Sequence, residues 1–219
     1  MQTFPTPDPV SAVVDVPAGR VRLVAEDRAD TTVEVRPGDA TRGRDVKAAE
    51  RTTVEYRDGV LRVVTAARTE ALGPSGTLDV TIHLPAGSAA EILGSAGADA
   101  VGRLGDVTVQ GSADGIRLDE AATVRLSAAA GDVVVGRLTG PGEVSTTQGD
   151  IRVAEALGGT LELRTQQGDI TVGASAGVPA ALDAGTGLGR ISNALRNDGT
   201  PVLDIRATTS QGDITARSL

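Results

Sequence analysis

The stretch "TTQGDIRV" at 146–153 returns as "TQQGDITV" at 165–172 and again as "TSQGDITA" at 209–216. Recurrence of this kind marks a repeat fold, in which each copy needs a neighbour to bury its apolar face. Taking Ile151 as an anchor, apolar residues stand two places later (Val153) and seven earlier (Val144). The same offsets, with a further apolar residue nine earlier, hold around Ile170 (Val172, Leu163, Leu161) and Val133 (Val135, Leu126, Val124). They hold around Ile116 (Leu118, Val109, Val107) and, more weakly, around Ile191 (Ala184, Leu182) and Ile214 (Ala216, Ala207, Ile205). Six anchors align, at 116, 133, 151, 170, 191 and 214, separated by 17, 18, 19, 21 and 23 residues. A spacing that lengthens slowly fits stacked coils joined by loops of variable length.

Each copy carries two apolar-polar-apolar triplets, and alternation with period two is the pattern of a strand with one face buried. One coil therefore contributes two short strands, with Arg117, Arg125, Arg152 and Glu162 pointing outward. Coils stacked about 4.8 Å apart would make a column on the order of 30 Å long. The predicted fold is an all-β, single-stranded β-solenoid of about six or more coils. Leu126, Val144 and Leu163 should form one vertical file. The chain, 1–219, reads as one domain: regular coils over 96–219, and an irregular β-rich part, 1–95, that caps and continues them.

Two places before the anchor stands Gly, at 131, 149, 168, 189 and 212, and one place before stands Asp, at 132, 150, 169 and 213. At Asp114 and Gly115 the order is reversed. Glycine admits backbone angles closed to other residues, and aspartate bonds nearby amides, so the pair suits a tight corner between strands. The same stacking would set Asp132, Asp150 and Asp169 in a ladder about 4.8 Å apart. Calcium could bridge such carboxylates, but calcium loops supply more oxygen ligands per turn than "QGDI" does. Arg190 interrupts the ladder between Asp169 and Asp213. The ladder is therefore read as corner pieces, with no metal or cofactor assigned.

The first 95 residues hold seven of the ten prolines and no clean repeat. They still read as strands. "VVDVPAGRVRLVAEDRADTTVEVRPG" (13–38) alternates around turn clusters, and "TVEYRDGVLRVV" (53–64) is a hairpin turning at Asp58 and Gly59. "GTLDVTIHLPAG" (76–87) sets Leu78, Val80, Ile82 and Leu84 on one face and Asp79, Thr81 and His83 on the other. "RDVKAAERT" (44–52) predicts a turn or two of helix with Asp45 as N-cap.

Composition narrows the function. With 21 basic against 29 acidic residues the formal net charge is -8, and no lysine or arginine run tracks phosphates, so nucleic acid is not an expected partner. Phe4 and Tyr56 are the only aromatic residues, which removes the usual stacking platforms for bases and sugars. Cysteine is absent, excluding disulfides and thiolate metal sites. No window approaches the roughly 20 apolar residues of a membrane span, and "MQTFPTPDPVSAVVDVPAGR" has no cation before Arg20. The reading is a cytoplasmic protein without a membrane partner.

With these residues in view, the chain resembles the bacterial domain-of-unknown-function family labelled putative adhesin, particularly its short soluble actinobacterial type. The resemblance runs through "VRLVAEDRADTTVEVRPGDATRGRDVKAAERTTVEYRDGVLRV", "LDVTIHLPAGS", the "GDIRV" and "GDITV" coils, "GLGRISNAL" and "TTSQGDITARSL". It implies a β-solenoid and transfers no catalytic residue.

His83, the only histidine, falls on the outer face of its strand, so a solvated side chain is favoured over a general base. "GLGR" and "GPGE" lack the strand, lysine and following helix of a phosphate loop. A polysaccharide-active enzyme would have to use Asp132, Asp150 and Asp169 with Arg137, Arg152 and Arg164, but scattered outward charge is the ordinary coat of a soluble column. The favoured function is a non-enzymatic scaffold offering a rigid face to a protein or glycan partner, its binding residues unassigned. The alternative is a structural subunit joining its own copies end to end through solenoid edges. The last coil, 208–219, forms that end; Ala207 and Ala216 stand for bulkier core residues, a taper that suggests a natural cap, and if the tip pairs instead, Ile214→Pro should abolish the pairing.

Overall fold

The structure, a computed structural model, describes residues 1–66, 76–94 and 96–219. Among the described residues it is all-β with one short helix, and the strands do not close into a barrel. The chain divides into two compact units, 1–112 and 113–219.

In the first unit, β1 (Gln2–Pro5), β2 (Ser11–Asp15), β3 (Gly19–Glu26) and β4 (Asp30–Pro37) precede the helix α1 (Gly43–Glu50). After it come β5 (Thr52–Arg57), β6 (Val60–Thr65), β7 (Leu78–Pro85), β8 (Ala89–Leu93) and β9 (Gly97–Ser112). The expected hairpin is β5–β6, antiparallel, with Asp58 and Gly59 at φ of 50° and 79°, the left-handed pair that lets a two-residue turn follow the strand twist. One stack runs β5, β6, β2, β8 and the second half of β9. The other runs β1, β4, β7, β3 and the first half of β9. The early strands β2 and β3 thus lie inside the unit, each between two later strands. Leu78, Val80, Ile82 and Leu84 are buried as the alternation predicts.

The helix forms where the sequence places it, but Asp45 is not its N-cap. Arg42 holds that position without a side-chain cap, and Asp45 sits in the first turn, fully buried. Thr77 donates its backbone N–H (3.1 Å) and its hydroxyl (2.8 Å) to the Asp45 carboxylate, and Arg44 Nε stands 3.6 Å away. Burial alone would raise the Asp45 pKa; the Thr77 donors and Arg44 hold it below the usual carboxylate range. A partner 32 residues downstream, invisible to local pattern, decided the role of this side chain.

The second unit begins with β10 (Ile116–Ala130), β11 (Val133–Leu138), β12 (Gly142–Gln148), β13 (Ile151–Ala156) and β14 (Gly159–Gln167). It continues through β15 (Ile170–Ala174), β16 (Ala180–Leu188), β17 (Ile191–Ala194), β18 (Leu203–Gln211) and β19 (Ile214–Ser218). All its pairings are parallel. One stack runs from the first part of β10 through β11, β13, β15 and β19 to β17. The other runs from the second part of β10 through β12, β14 and β18 to β16. The aliphatic files are continuous: Leu126 stands beside Val144, Val144 beside Leu163, Leu163 beside Ala207 and Ala207 beside Ala184. A second file passes through Ile116, Val133, Ile151, Ile170, Ile214 and Ile191. Each fully buried Val, Leu or Ile in such a file contributes about 1.5–3 kcal/mol of transfer free energy.

Chain order and stacking order part company at the C-terminus. The last coil, β18–β19, is not the end of the stack; it lies between the coil of β14 and β15 on one side and that of β16 and β17 on the other. Ala207 and Ala216 are therefore interior packing residues, 0% and 1% exposed, rather than a taper. Ile214 is likewise interior, and Ile191, 47% exposed, closes its file. The margin of the unit is the coil 180–194. Its aliphatic residues Leu188 (70% exposed) and Ile191 face solvent, and Asn193 ends the file that runs through Val135, Val153, Val172 and Ala216.

Candidate functional site

The repeated "QGD" (148–150, 167–169 and 211–213), with its variants "AGD" (130–132) and "LGR" (188–190), is the corner at which these coils of the second unit pass from one stack to the other, and three hydrogen-bond ladders meet there. In the first, the corner glycine donates its N–H to the glutamine carbonyl of the next coil: Gly131 to Gln148 (2.8 Å), Gly149 to Gln167 (2.9 Å) and Gly168 to Gln211 (2.9 Å). In the second, a threonine hydroxyl donates to the glycine carbonyl of the preceding coil: Thr165 to Gly149 (3.1 Å), Thr209 to Gly168 (3.1 Å) and Thr186 to Gly212 (2.9 Å). In the third, each aspartate accepts the backbone N–H of the next. Asp150 N donates to Asp132 Oδ1 (2.9 Å), Asp169 N to Asp150 Oδ1 (2.8 Å) and Asp213 N to Asp169 Oδ1 (2.7 Å). Glycine is required by space as well as by angle. Gly168 has φ of 149°, and a Cβ there would lie 2.1 Å from the Gly149 carbonyl oxygen.

The structure brings Asp132, Asp150 and Asp169 into the expected ladder and gives it a fourth rung, Asp213, directly after Asp169. Arg190 does not interrupt it. It terminates it, donating its backbone N–H to Asp213 Oδ1 (2.8 Å) and its Nη2 to Asp213 Oδ2 (3.0 Å). The Arg190 amide and guanidinium hold the Asp213 pKa below the usual range. One oxygen of each carboxylate is thus committed to a backbone amide, which relieves the crowding of like charges without a cation. Among the described residues no group of three or more His, Asp or Glu side chains is placed to hold a metal ion. The threonine ladder was not read from the sequence, although Thr146, Thr165, Thr186 and Thr209 stand at one fixed offset from their corners.

Outward rows in the second unit carry paired charge. Arg125, Glu143, Glu162, Arg206 and Asp183 stand side by side on successive strands. Glu162 accepts from Arg164 (3.2 Å) and Arg206 (3.3 Å), and Arg137 lies 3.6 Å from Glu155. Of the arginines considered for a substrate, Arg137 and Arg164 are thus engaged with carboxylates, while Arg152 stands in a different row, beside Val134 and Thr171. His83 lies on the outward side of β7, with Nδ1 3.1 Å from Glu26 Oε1, which also accepts from Arg28 Nη1 at 2.9 Å. The His83 contact, with Arg28 beside it, holds Glu26 below the usual range. This is an exposed charge network.

The first unit carries a surface cleft of about 220 Å³ that sequence reasoning did not single out. It is lined by Arg20, Arg22, Glu34, Arg36, Asp79, Val80 and Thr81. Strand register explains the grouping. Asp79 lies between Arg36 of β4 and Arg20 of β3, and one pleat along, Thr81 lies between Glu34 and Arg22. Arg36 donates to Glu34 (2.7 Å), whereas Arg20 and Arg22 are exposed. The available signal was the pair of arginines at alternate positions in "GRVRLV", which a strand places on one face. Guanidinium forks beside carboxylates and a hydroxyl can hold carboxylate and hydroxyl groups of a ligand together.

Among the described residues no helix is long and apolar enough to cross a membrane. No curated protein matches the chain. Solved structures with the same fold include a putative adhesin from Bacteroides fragilis, 13% identical, matched over 98% of this chain and 95% of that one with a TM-score of 0.55. A putative cell adhesion protein from Clostridium sporogenes is 9% identical over 100% of this chain and 98% of that one, with a TM-score of 0.41. Residues 13–217 match the family described as Toastrack DUF4097.

Proposed function

The chain belongs to the Toastrack DUF4097 family over nearly its whole length, and from that premise we propose that it is a non-enzymatic β-solenoid scaffold presenting a rigid surface to a protein or glycan partner. The observation that carries this reading is the cleft of the first unit, where strand register fixes three guanidinium groups and two carboxylates on one pleated face. The strand backbone that carries these groups is already in place before a ligand arrives, which lowers part of the cost of binding. The name of the Bacteroides fragilis neighbour, a putative adhesin, is in keeping with the same class of role. A second reading, a structural subunit that associates with its own copies through a solenoid end, is favoured by the coil 180–194, whose Leu188 and Ile191 are exposed and which pairs with strands on one side only.

The test is retention of neutral and uronic-acid glycans, and of extracted bacterial surface proteins, on the immobilised full chain. Binding that disappears in the Arg20→Glu, Arg22→Glu double variant, with the melting temperature unchanged, supports the scaffold reading. New reducing ends or unsaturated products from a uronic-acid polymer would replace it with the enzyme reading.

A further inference from the structure

The margin of the second unit is an edge on both stacks at once. Among the described residues β16 pairs only with β18 and β17 only with β19; on the outer side Ala180 N–H donates to Arg196 O (3.1 Å), and beyond that bond each strand presents backbone N–H and C=O groups with no strand partner. Native sheets guard such edges with charge, proline, bulges or a covering segment. Here β16 ("AALDAGTGL") and β17 ("ISNA") contain no proline and one ionised residue, Asp183. Arg190, at the corner between them, is spent on Asp213. Leu188 occupies the register position that Gln148, Gln167 and Gln211 hold in the other coils, so an aliphatic side chain, 70% exposed, stands where the repeat places an amide. Ile191 lies beyond the corner, 47% exposed.

We infer that this margin is the interface of a closed, two-fold dimer, in which β16 and β17 of one copy pair antiparallel with β16 and β17 of a second. The occupant follows from what the edge offers. It carries almost no charge with which to select a foreign partner, and its backbone row, Leu188 and Ile191 are supplied reciprocally by a two-fold mate. A head-to-tail series would need a second bare margin to receive this one. The β1 and β5 margin of the first unit is unsuited to that: the Phe4 and Tyr56 rings pack across it at 5.6 Å, Pro5 has no N–H to give, and Glu55 and Arg57 line β5. Pairing therefore stops at two copies. This inference goes beyond the scaffold reading and does not depend on the arginine cleft.

Sedimentation equilibrium of the full chain from micromolar to millimolar concentration should show the mass rise to twice that of one chain and level there. The Leu188→Lys, Ile191→Lys double variant should remain monomeric, and Leu188→Lys alone, at a position 70% exposed, should weaken the dimer with the melting temperature of the monomer unchanged. Because the chain has no cysteine, single replacements along β16 report geometry: at least one of Ala181→Cys, Asp183→Cys and Gly185→Cys should give a disulfide-linked dimer on mild oxidation. A chain monomeric throughout, a mass that keeps growing with concentration, or a dimer that survives the lysine pair overturns the proposal.

Discussion

The two units solve the same problem, ending a stack of strands, in different ways. The first ends in antiparallel strands on both stacks, β1 against β4 and β5 against β6, and spends the only two aromatic residues of the chain where those strands meet. The second ends in a parallel coil like those before it, altered at a few positions: Leu188 for glutamine, Arg190 for aspartate, Asn193 for an aliphatic residue. Closing a margin requires leaving the repeat. Irregularity over the first 95 residues is thus the signature of an end being built. Regularity over 116–174 belongs to an interior where each coil is served by its neighbours. Both units also place a terminal stretch of chain inside the stack, β2–β3 in one and β18–β19 in the other, so neither terminus is a dispensable appendage.

The sharpest way to break this comparison is to remove 203–219. In a stack that followed chain order this would trim one end coil. In the observed order it strips β16 and β17 of the only strands they pair with among the described residues, and bares Leu163 and Ile170. The expected loss is about 4 kcal/mol or more, and amides across 180–194 should exchange as in unfolded chain. Next in size is Leu163→Ala, in the middle of a file and fully buried, which should cost about 2–5 kcal/mol in denaturant unfolding.

Gly168→Ala tests the corner. The added Cβ meets the Gly149 carbonyl in a left-handed backbone, and a loss of about 2–4 kcal/mol is expected. Gly185→Ala at the open margin meets nothing within 4 Å and should change stability by less than about 1 kcal/mol. Equal effects of the two would remove the distinction between interior corner and margin. Between these two in size is Tyr56→Ala at the closed margin, where loss of the ring pair should cost about 1 kcal/mol beyond the area exposed.

Acid should act on both units. The Asp45 and Asp213 pKa values are held below the ordinary carboxylate range, so the stability they add is fully present above a pH of about 4 and is lost as pH falls through their folded values. Melting temperature should drop more steeply below that pH than in Asp45→Asn or Asp213→Asn, each of which flattens the profile while lowering the plateau at neutral pH.

Much of this was legible in the sequence because a solenoid writes its core as fixed offsets. The Leu126, Val144, Leu163 file, the glycine corners, the Asp58–Gly59 turn and the short helix all follow from local pattern. The order of the last two coils did not, since an aliphatic offset is satisfied equally by Ile191 or Ile214 beside Ile170. A finer signal was present. "TSQGDITA" copies "TQQGDITV" far more faithfully than "TGLGRISN" does, and ladders of threonine, glutamine and aspartate reward like beside like. The faithful copy therefore belongs next to its original and the divergent one at the margin. The Asp45 role and the arginine cleft depend on residues brought together from separate strands, which no local window holds.

The direct test of the account is which coil lies against 159–174. Cross-strand nuclear Overhauser contacts between backbone protons should join Glu162 to Arg206 and Ile170 to Ile214, with Asp183 and Ile191 one strand further out. Contacts joining Glu162 directly to Asp183 and Ile170 directly to Ile191 would restore chain order and contradict both the interior C-terminus and the open margin at 180–194.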